Sequence, residues 1–116
     1  MTQDSPDIAA NLRRVCDRIA TAAGAVGRDP GATRLVAVSK RHPAERVRAA
    51  LAAGHRVFGE NRVQEAREKY PELRREHPDV ELHLVGHLQS KKAEDATEIF
   101  DVIQSVDREK LAVALA

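Results

Sequence analysis

Four short runs of β-forming residues recur along the chain at intervals of roughly 20 to 30 residues, with helix-like segments between them. The runs are LVAV (35–38), RVFG (56–59), ELHLVG (81–86) and DVIQSV (101–106). Strands that alternate with helices form βα units, and consecutive βα units build a parallel sheet. We therefore predict an α/β fold made of four parallel βα units.

The segments between these runs carry signals for helix starts and breaks. Ser5-Pro6 predicts the cap and first turn of an N-terminal helix, which precedes the four units. Asn61 is predicted to cap a later helix, and Pro71 should interrupt it because proline breaks the hydrogen-bond ladder. A polar helix is expected near 91–98, and Asp107 is predicted to cap the last one.

The length and the absence of any linker-like segment predict a single domain that covers residues 1–116. Four βα units can form a small open sheet or one half of a TIM-type (β/α)8 barrel, which usually needs about 250 residues. The hydrophobic periodicity alone does not choose between these two arrangements.

Composition excludes several classes of function. A formal net charge of +1 and only three aromatic residues argue against a nucleic-acid surface. No apolar run approaches the roughly 20 residues needed to cross a bilayer, and the polar start MTQDSPD is unlike a signal peptide. The single cysteine, Cys16, excludes an internal disulfide, fits a reducing compartment and is predicted to be half-buried. We therefore expect a cytoplasmic protein that contacts neither nucleic acid nor membrane.

Lys40 is the main candidate for chemistry because it lies at the end of the first strand, in the stretch LVAVSK (35–40). Alternation along the strand places Val36, Val38 and Lys40 on one face, and Leu35, Ala37 and Ser39 on the other. In a barrel, Lys40 would lie at the mouth formed by the carboxyl ends of the strands, where βα enzymes place their reactive groups. A partly desolvated amine there suits Schiff-base formation with an aldehyde. The alternative is a solvated lysine at a strand end.

Other polar positions carry weaker signals. In the motif FGEN (58–61), Glu60 and Asn61 offer polar groups at the same mouth, although a turn and a helix cap explain the motif equally well. His83 and His87 are four residues apart, but they fall on a strand and its loop, so we predict no metal site. The charged segment REKYPELRREHPD (67–79) is interpreted as a solvated helix and turn.

Four stretches, taken in order, resemble the pyridoxal phosphate homeostasis protein family. They are LVAVSK, AGHRVFGENRVQEA, HLVGHLQSKK and IQSVDREKLA, and together they extend from about Leu35 to the end of the chain. This family shares its barrel type with the N-terminal domain of alanine racemases. The resemblance implies that the chain is the N-terminal half of such a barrel. It also implies that pyridoxal 5′-phosphate is the cofactor, held as a Schiff base on Lys40, and that Asn61 helps to line the cofactor pocket.

The function implied by this resemblance is that of a non-catalytic pyridoxal phosphate carrier in cofactor homeostasis, with no catalytic residue. One alternative is an enzyme that uses the same cofactor, such as an amino-acid racemase. A racemase often needs a tyrosine beside the imine, and Tyr70, the only tyrosine, falls in a helix that we expect to be remote from the strand ends. The other alternative is a cofactor-free binding or assembly module. The open half-barrel also predicts self-association through its uncovered face.

Overall fold

A computed structural model describes residues 7–116, and the predicted Ser5-Pro6 helix start lies outside this range. Within it the chain forms five α-helices, four β-strands and two short 3₁₀ helices, at Pro30–Ala32 and Ser90–Lys92. The helices are α1 (Ile8–Ala25), α2 (Ala44–Ala52), α3 (Val63–Glu76), α4 (Ala93–Ile99) and α5 (Glu109–Leu115). The strands are β1 (Ala37–Val38), β2 (Val57–Glu60), β3 (Glu81–Leu84) and β4 (Val102–Ile103).

The four strands form one parallel sheet in the order β1-β2-β3-β4. In its register, Phe58 of β2 lies opposite Ala37 of β1 and Leu82 of β3, and Leu84 of β3 lies opposite Ile103 of β4. Each pair of neighbouring strands is connected through a helix, as parallel pairing requires. The predicted α/β fold with parallel βα units is therefore confirmed.

The hydrophobic core lies between the sheet and the helices α2 to α5. Phe58, Leu82 and Leu84 point from the strands into this layer and are at most 1% exposed. The helix residues that meet them are also fully or almost fully buried; they are Val47, Leu51, Ala66, Tyr70, Leu73, Ala96 and Leu111. Burial of this kind contributes about 1.5–3 kcal/mol for each large side chain, so it fixes which face of each helix meets the sheet.

The opposite face of the sheet is open. Gly59 lies on this face, where an added Cβ would come within 3.1 Å of Val36, 3.3 Å of Val85 and 3.6 Å of Val38. Val38 is 46% exposed, and Val102 of β4 is also exposed. The predicted alternation along β1 is thus correct, because Ala37 and Ser39 face the helices while Val36 and Val38 face the open side.

Three predicted helix boundaries are wrong. Helix α3 continues through Pro71 to Glu76, because its buried face of Val63, Tyr70 and Leu73 gains more than the proline costs in one lost hydrogen bond. This helix begins after Arg62 and not after Asn61.

Similarly, the last helix is preceded by Arg108 rather than Asp107, whose carboxylate accepts a 2.6 Å bond from the Arg108 guanidinium. In both helices the side chain proposed as a cap lies one residue too early to accept from the first turn.

Helix α1 packs against α2 along one side of the molecule. Its N-cap is Asp7, whose carboxylate accepts a 3.0 Å hydrogen bond from the Ala10 amide. Cys16 is exposed, whereas the sequence predicted it to be half-buried; it borders an open surface pocket between α1 and the end of α2. No helix within residues 7–116 has the length and apolarity that a membrane span requires.

Candidate functional site

Lys40 lies just beyond the end of β1, at the edge of the sheet where the parallel strands end. The Ser39 amide donates a 2.8 Å hydrogen bond to the Gly59 carbonyl, so the parallel pairing extends to the residue before Lys40. Lys40 itself is exposed, and the partly desolvated amine that we predicted is not found in this chain. Lys40 lies in the turn between β1 and α2, beyond the last residue of the strand, where the chain is accessible to solvent.

The residue that follows Lys40 has an unusual backbone. Arg41 has φ of 64°, which is the left-handed region that residues other than glycine rarely adopt. A left-handed residue with a side chain costs roughly 1–2 kcal/mol, so neighbouring interactions must hold it. The chain then turns through His42 to Pro43, which precedes α2. The Lys40–Arg41 turn is therefore defined by the surrounding contacts and not by its own backbone preference.

Asn61 follows β2 at the same edge of the sheet, where Gly86 packs directly against its backbone. An added Cβ on Gly86 would lie 2.8 Å from the Cα and 3.0 Å from the carbonyl carbon of Asn61, and closer still to its oxygen. Only a glycine fits at this position. The loop after β3 thus fixes the position of the Asn61 backbone.

Lys40 and Asn61 line one pocket of about 210 Å³, together with Arg41, Arg62 and Glu65. The two residues selected from the sequence are therefore brought together. The lining thus carries three cationic residues and one amide against the single carboxylate of Glu65, a balance that favours an anionic or carbonyl-bearing ligand. Asn61 also borders a second pocket of about 310 Å³ beside α3, whose wall includes Gln64, His87 and Lys92.

A buried polar network lies beneath the Lys40–Arg41 turn, on the helix side of the sheet. The Ser39 hydroxyl donates to Oε2 of Glu60, and the Tyr70 hydroxyl lies 2.6 Å from the same Ser39 oxygen. Lys69 Nζ lies 2.8 Å from Glu60 Oε2. Glu60 is completely buried, so the strand alternation takes its carboxylate away from the pocket where we predicted it.

Tyr70 occupies a position that contradicts the sequence prediction. We expected it to be remote from the strand ends, but it is fully buried and reaches the end of β1 through Ser39. Burial raises the pKa of its phenol well above the usual value, although the hydrogen bond with Ser39 opposes this shift. Its hydroxyl meets the helix side of β1 at Ser39, and Tyr70 is not among the residues that line the pocket of Lys40 and Asn61.

Glu65 connects this network to the pocket. Its Oε2 accepts a 2.6 Å hydrogen bond from the Arg41 amide and lies 3.1 Å from Lys69 Nζ. Burial alone would raise the pKa of Glu65, but the bonds from Arg41 and Lys69 outweigh burial and lower it below its ordinary value. Glu65 is therefore held as a carboxylate at neutral pH.

The charged segment 67–79 was interpreted as solvated, which is wrong for one of its faces. Tyr70 and Leu73 are fully buried, and the Lys69 side chain is only 8% exposed. One sequence signal was available for Lys69, since Glu65 and Lys69 have the i,i+4 spacing of a helical ion pair. Nothing comparable in the sequence indicates that Gly86 would contact Asn61.

The two histidines of the third unit do not meet. His83 Nε2 lies 2.5 Å from Glu81 and its Nδ1 lies 2.8 Å from the Gln104 amide, so both ring nitrogens have protein partners. His87 is largely exposed near Asp107. Across residues 7–116 the structure contains no cluster of three or more His, Cys, Asp or Glu side chains that could hold a metal ion.

Comparisons with known proteins give the chain a family. The model of the alanine racemase N-terminal domain matches residues 4–116. A pyridoxal phosphate homeostasis protein from Pseudomonas aeruginosa is 48% identical over 111 residues, which cover 94% of this chain and 46% of that protein. A protein of the same name from Escherichia coli K12 is 43% identical over 112 residues, covering 94% and 47%.

Two solved structures agree with this assignment. PipY from Synechococcus elongatus PCC7942, solved with PLP bound, is 48% identical with a TM-score of 0.75, over 93% of this chain and 46% of that one. An unknown protein from Bifidobacterium adolescentis is 36% identical with a TM-score of 0.88, over 94% and 48%.

The present chain spans about half the length of the curated relatives that it matches. This coverage, together with the parallel βα units, confirms the predicted relation to the N-terminal half of a (β/α)8 barrel. The resemblance to pyridoxal phosphate homeostasis proteins is likewise confirmed. The chain belongs to the alanine racemase N-terminal domain family.

Proposed function

We propose that this chain supplies the cofactor-anchoring half of a cytoplasmic protein that binds pyridoxal 5′-phosphate and takes part in its homeostasis. Lys40 would hold the cofactor as a Schiff base, and Asn61 would line the pocket around it. The observation that carries this proposal is the shared pocket of Lys40 and Asn61 at the carboxyl ends of β1 and β2. The names of the relatives, and the PLP bound to PipY, support the choice of ligand.

The groups that line the pocket suit such a ligand. Pyridoxal phosphate supplies an aldehyde that condenses with an amine and releases water, and it carries a negatively charged phosphate. Lys40 offers the amine, while the guanidinium groups of Arg41 and Arg62 make the pocket wall positive. Arg41 and Arg62 would favour an anionic ligand, and the Asn61 amide can donate or accept a hydrogen bond.

A carrier role is favoured over a racemase role by the position of Tyr70. Racemisation requires an acid or base on each face of the substrate, and a tyrosine often supplies one of them. Tyr70 is completely buried with its hydroxyl against Ser39, and it is not among the residues that line the pocket of Lys40 and Asn61. Among residues 7–116 this chain therefore offers no tyrosine that could act beside Lys40.

A spectroscopic titration tests the proposal against a cofactor-free binding module. Pyridoxal phosphate added to the protein at its natural length should produce an absorbance band at about 420 nm, which is typical of imines of this cofactor. Lys40→Ala should abolish the band, while Lys91→Ala, which removes an exposed lysine elsewhere, should leave it unchanged. A band of equal strength in Lys40→Ala would contradict the proposal. Turnover of D- or L-amino acids by the loaded protein would instead favour the enzyme alternative.

A further inference from the structure

We infer that Lys69 and Glu65 are positioning residues that hold the Lys40–Arg41 turn in the conformation from which Lys40 reacts. This inference rests on the proposed role of Lys40 as the cofactor lysine. Neither residue was selected from the sequence as part of the site. Both lie on α3, one helical turn apart, on the side of that helix that faces the turn.

Lys69 binds the backbone on both sides of Lys40–Arg41. Its Nζ lies 2.8 Å from the Ser39 carbonyl oxygen and 2.9 Å from the His42 carbonyl oxygen. These two carbonyls belong to the residues that immediately precede and follow the pair. The ammonium group therefore connects the two ends of the turn, because it donates charge-assisted hydrogen bonds to both carbonyls.

Glu65 binds the turn from within. Its Oε2 accepts the 2.6 Å hydrogen bond from the Arg41 amide, and Arg41 is the residue with φ of 64°. The left-handed backbone conformation of Arg41 is unfavourable by itself, so contacts with its surroundings must stabilise it. The hydrogen bond from the Arg41 amide to a charged carboxylate is a strong contact of this kind. Without that acceptor, Arg41 would relax toward negative φ and would change the direction in which Lys40 leaves the strand.

Charge balance explains why a lysine occupies position 69. Lys69 lies within 2.8 Å of Glu60 and 3.1 Å of Glu65, and Glu60 is completely buried. A buried carboxylate needs a paired cation, so Lys69 is fixed in place by the strand below and the helix beside it. Because the ammonium group is fixed, its hydrogen bonds to the carbonyls of Ser39 and His42 also restrict the motion of the turn.

The main test uses Glu65→Ala in the protein at its natural length, because Glu65 is half-buried and its loss leaves the Lys69–Glu60 pair intact. Two properties are measured: hydrogen exchange of the Lys40–His42 segment without cofactor, and the rate of borohydride-trapped adduct formation at Lys40 across a pH series. We expect the segment to exchange faster and the trapping rate to fall about tenfold or more, the effect of losing one hydrogen bond to a charged group. Glu68→Ala, on an exposed position of the same helix, is the matched control and should behave like the wild type.

Two further variants separate positioning from general damage to the fold. Arg41→Gly removes the cost of the left-handed conformation and also a guanidinium group of the pocket, so Glu65→Ala is measured in that background as well. Glu65→Ala/Arg41→Gly should form the adduct at a rate close to that of Arg41→Gly alone. Lys69→Met should lower the trapping rate more than Glu65→Ala does. If Lys69→Met fails to fold, the comparison of Glu65→Ala with and without Arg41→Gly decides the question.

Each outcome has one meaning. If wild-type protein forms an adduct at Lys40 but Glu65→Ala matches it in exchange and in trapping rate, the positioning role is refuted while the proposed function stands. If Glu65→Ala slows trapping by the same factor in the Arg41→Gly background as in the wild type, the positioning role is also refuted, because the defect is then independent of the left-handed residue. If the wild type forms no adduct at Lys40, the proposed function itself fails.

Discussion

Replacement of Gly86 by alanine tests how the pocket residue Asn61 is held in place. The added methyl group would lie 2.8 Å from the Asn61 Cα and 3.0 Å from its carbonyl carbon. Carbon atoms ordinarily approach to about 3.5–4.0 Å, so the methyl group would overlap the backbone by roughly 0.5–1 Å. All of these neighbours are backbone atoms, which cannot rotate away as a flexible side chain could.

The expected cost follows from this overlap. Overpacking of a well-packed site typically costs about 1–3 kcal/mol, and we expect Gly86→Ala to lower the free energy of unfolding by that amount. Relief of the overlap must move the Asn61 backbone, which lines the pocket with Lys40. Affinity for pyridoxal phosphate should therefore fall as well. Each 1.4 kcal/mol of binding free energy lost through the displacement of Asn61 lowers the affinity about tenfold.

Urea unfolding and a cofactor titration on the protein at its natural length measure the two effects. Gly24→Ala is the matched control, because an added Cβ at Gly24, within α1, meets nothing within 4 Å. That variant should be about 0.5–1 kcal/mol more stable, since alanine is the better helix former, and its cofactor affinity should not change. A Gly86→Ala protein with wild-type stability and wild-type affinity would refute the reasoning.

Three further predictions address the pocket, the carboxylate network and the open face of the sheet. Asn61→Ala should weaken cofactor binding by about 1–3 kcal/mol, the cost of stranding a buried polar partner, whereas lower stability at unchanged affinity would mean that Asn61 only shapes the loop. Glu65 has a folded-state pKa below its ordinary value of 4.5, so its contribution to stability is present above about pH 4.5 and is lost as the pH falls through the folded-state pKa. When the free energy of unfolding is measured across an acid pH series, Glu65→Gln should lack this part of the pH dependence. Residues 1–116 alone should self-associate, because Val38 and Val102 are exposed on the open face, and sedimentation as a compact monomer would contradict this.

The order of elements was predictable because parallel βα units leave a repeated pattern in the sequence. The four apolar runs became the four strands, and the period of two correctly divided Val38 from Ser39. The same alternation places Glu60 on the helix side, although the FGEN motif alone suggested a group at the pocket. Local periodicity thus carries reliable information about which face of a strand a residue occupies.

The contacts that build the site were less predictable because they join residues distant in sequence. Tyr70 reaches Ser39 and Lys69 reaches His42 only after α3 has packed on the sheet, and no local pattern encodes that docking. The uninterrupted helix at Pro71 has the same origin, since burial of the surrounding face outweighs an unfavourable local preference. Lys40 and Asn61 were selected mainly through the family resemblance, and the parallel sheet agrees with that choice because the ends of β1 and β2 share one edge.

Location of the reduced cofactor adduct tests the central claim most directly. The protein at its natural length is incubated with pyridoxal phosphate, treated with borohydride, digested and mapped by mass spectrometry. The account predicts that the reduced adduct lies on Lys40, the lysine that lines the pocket with Asn61. An adduct found instead on Lys91 or Lys92, with Lys40 unmodified, would contradict it.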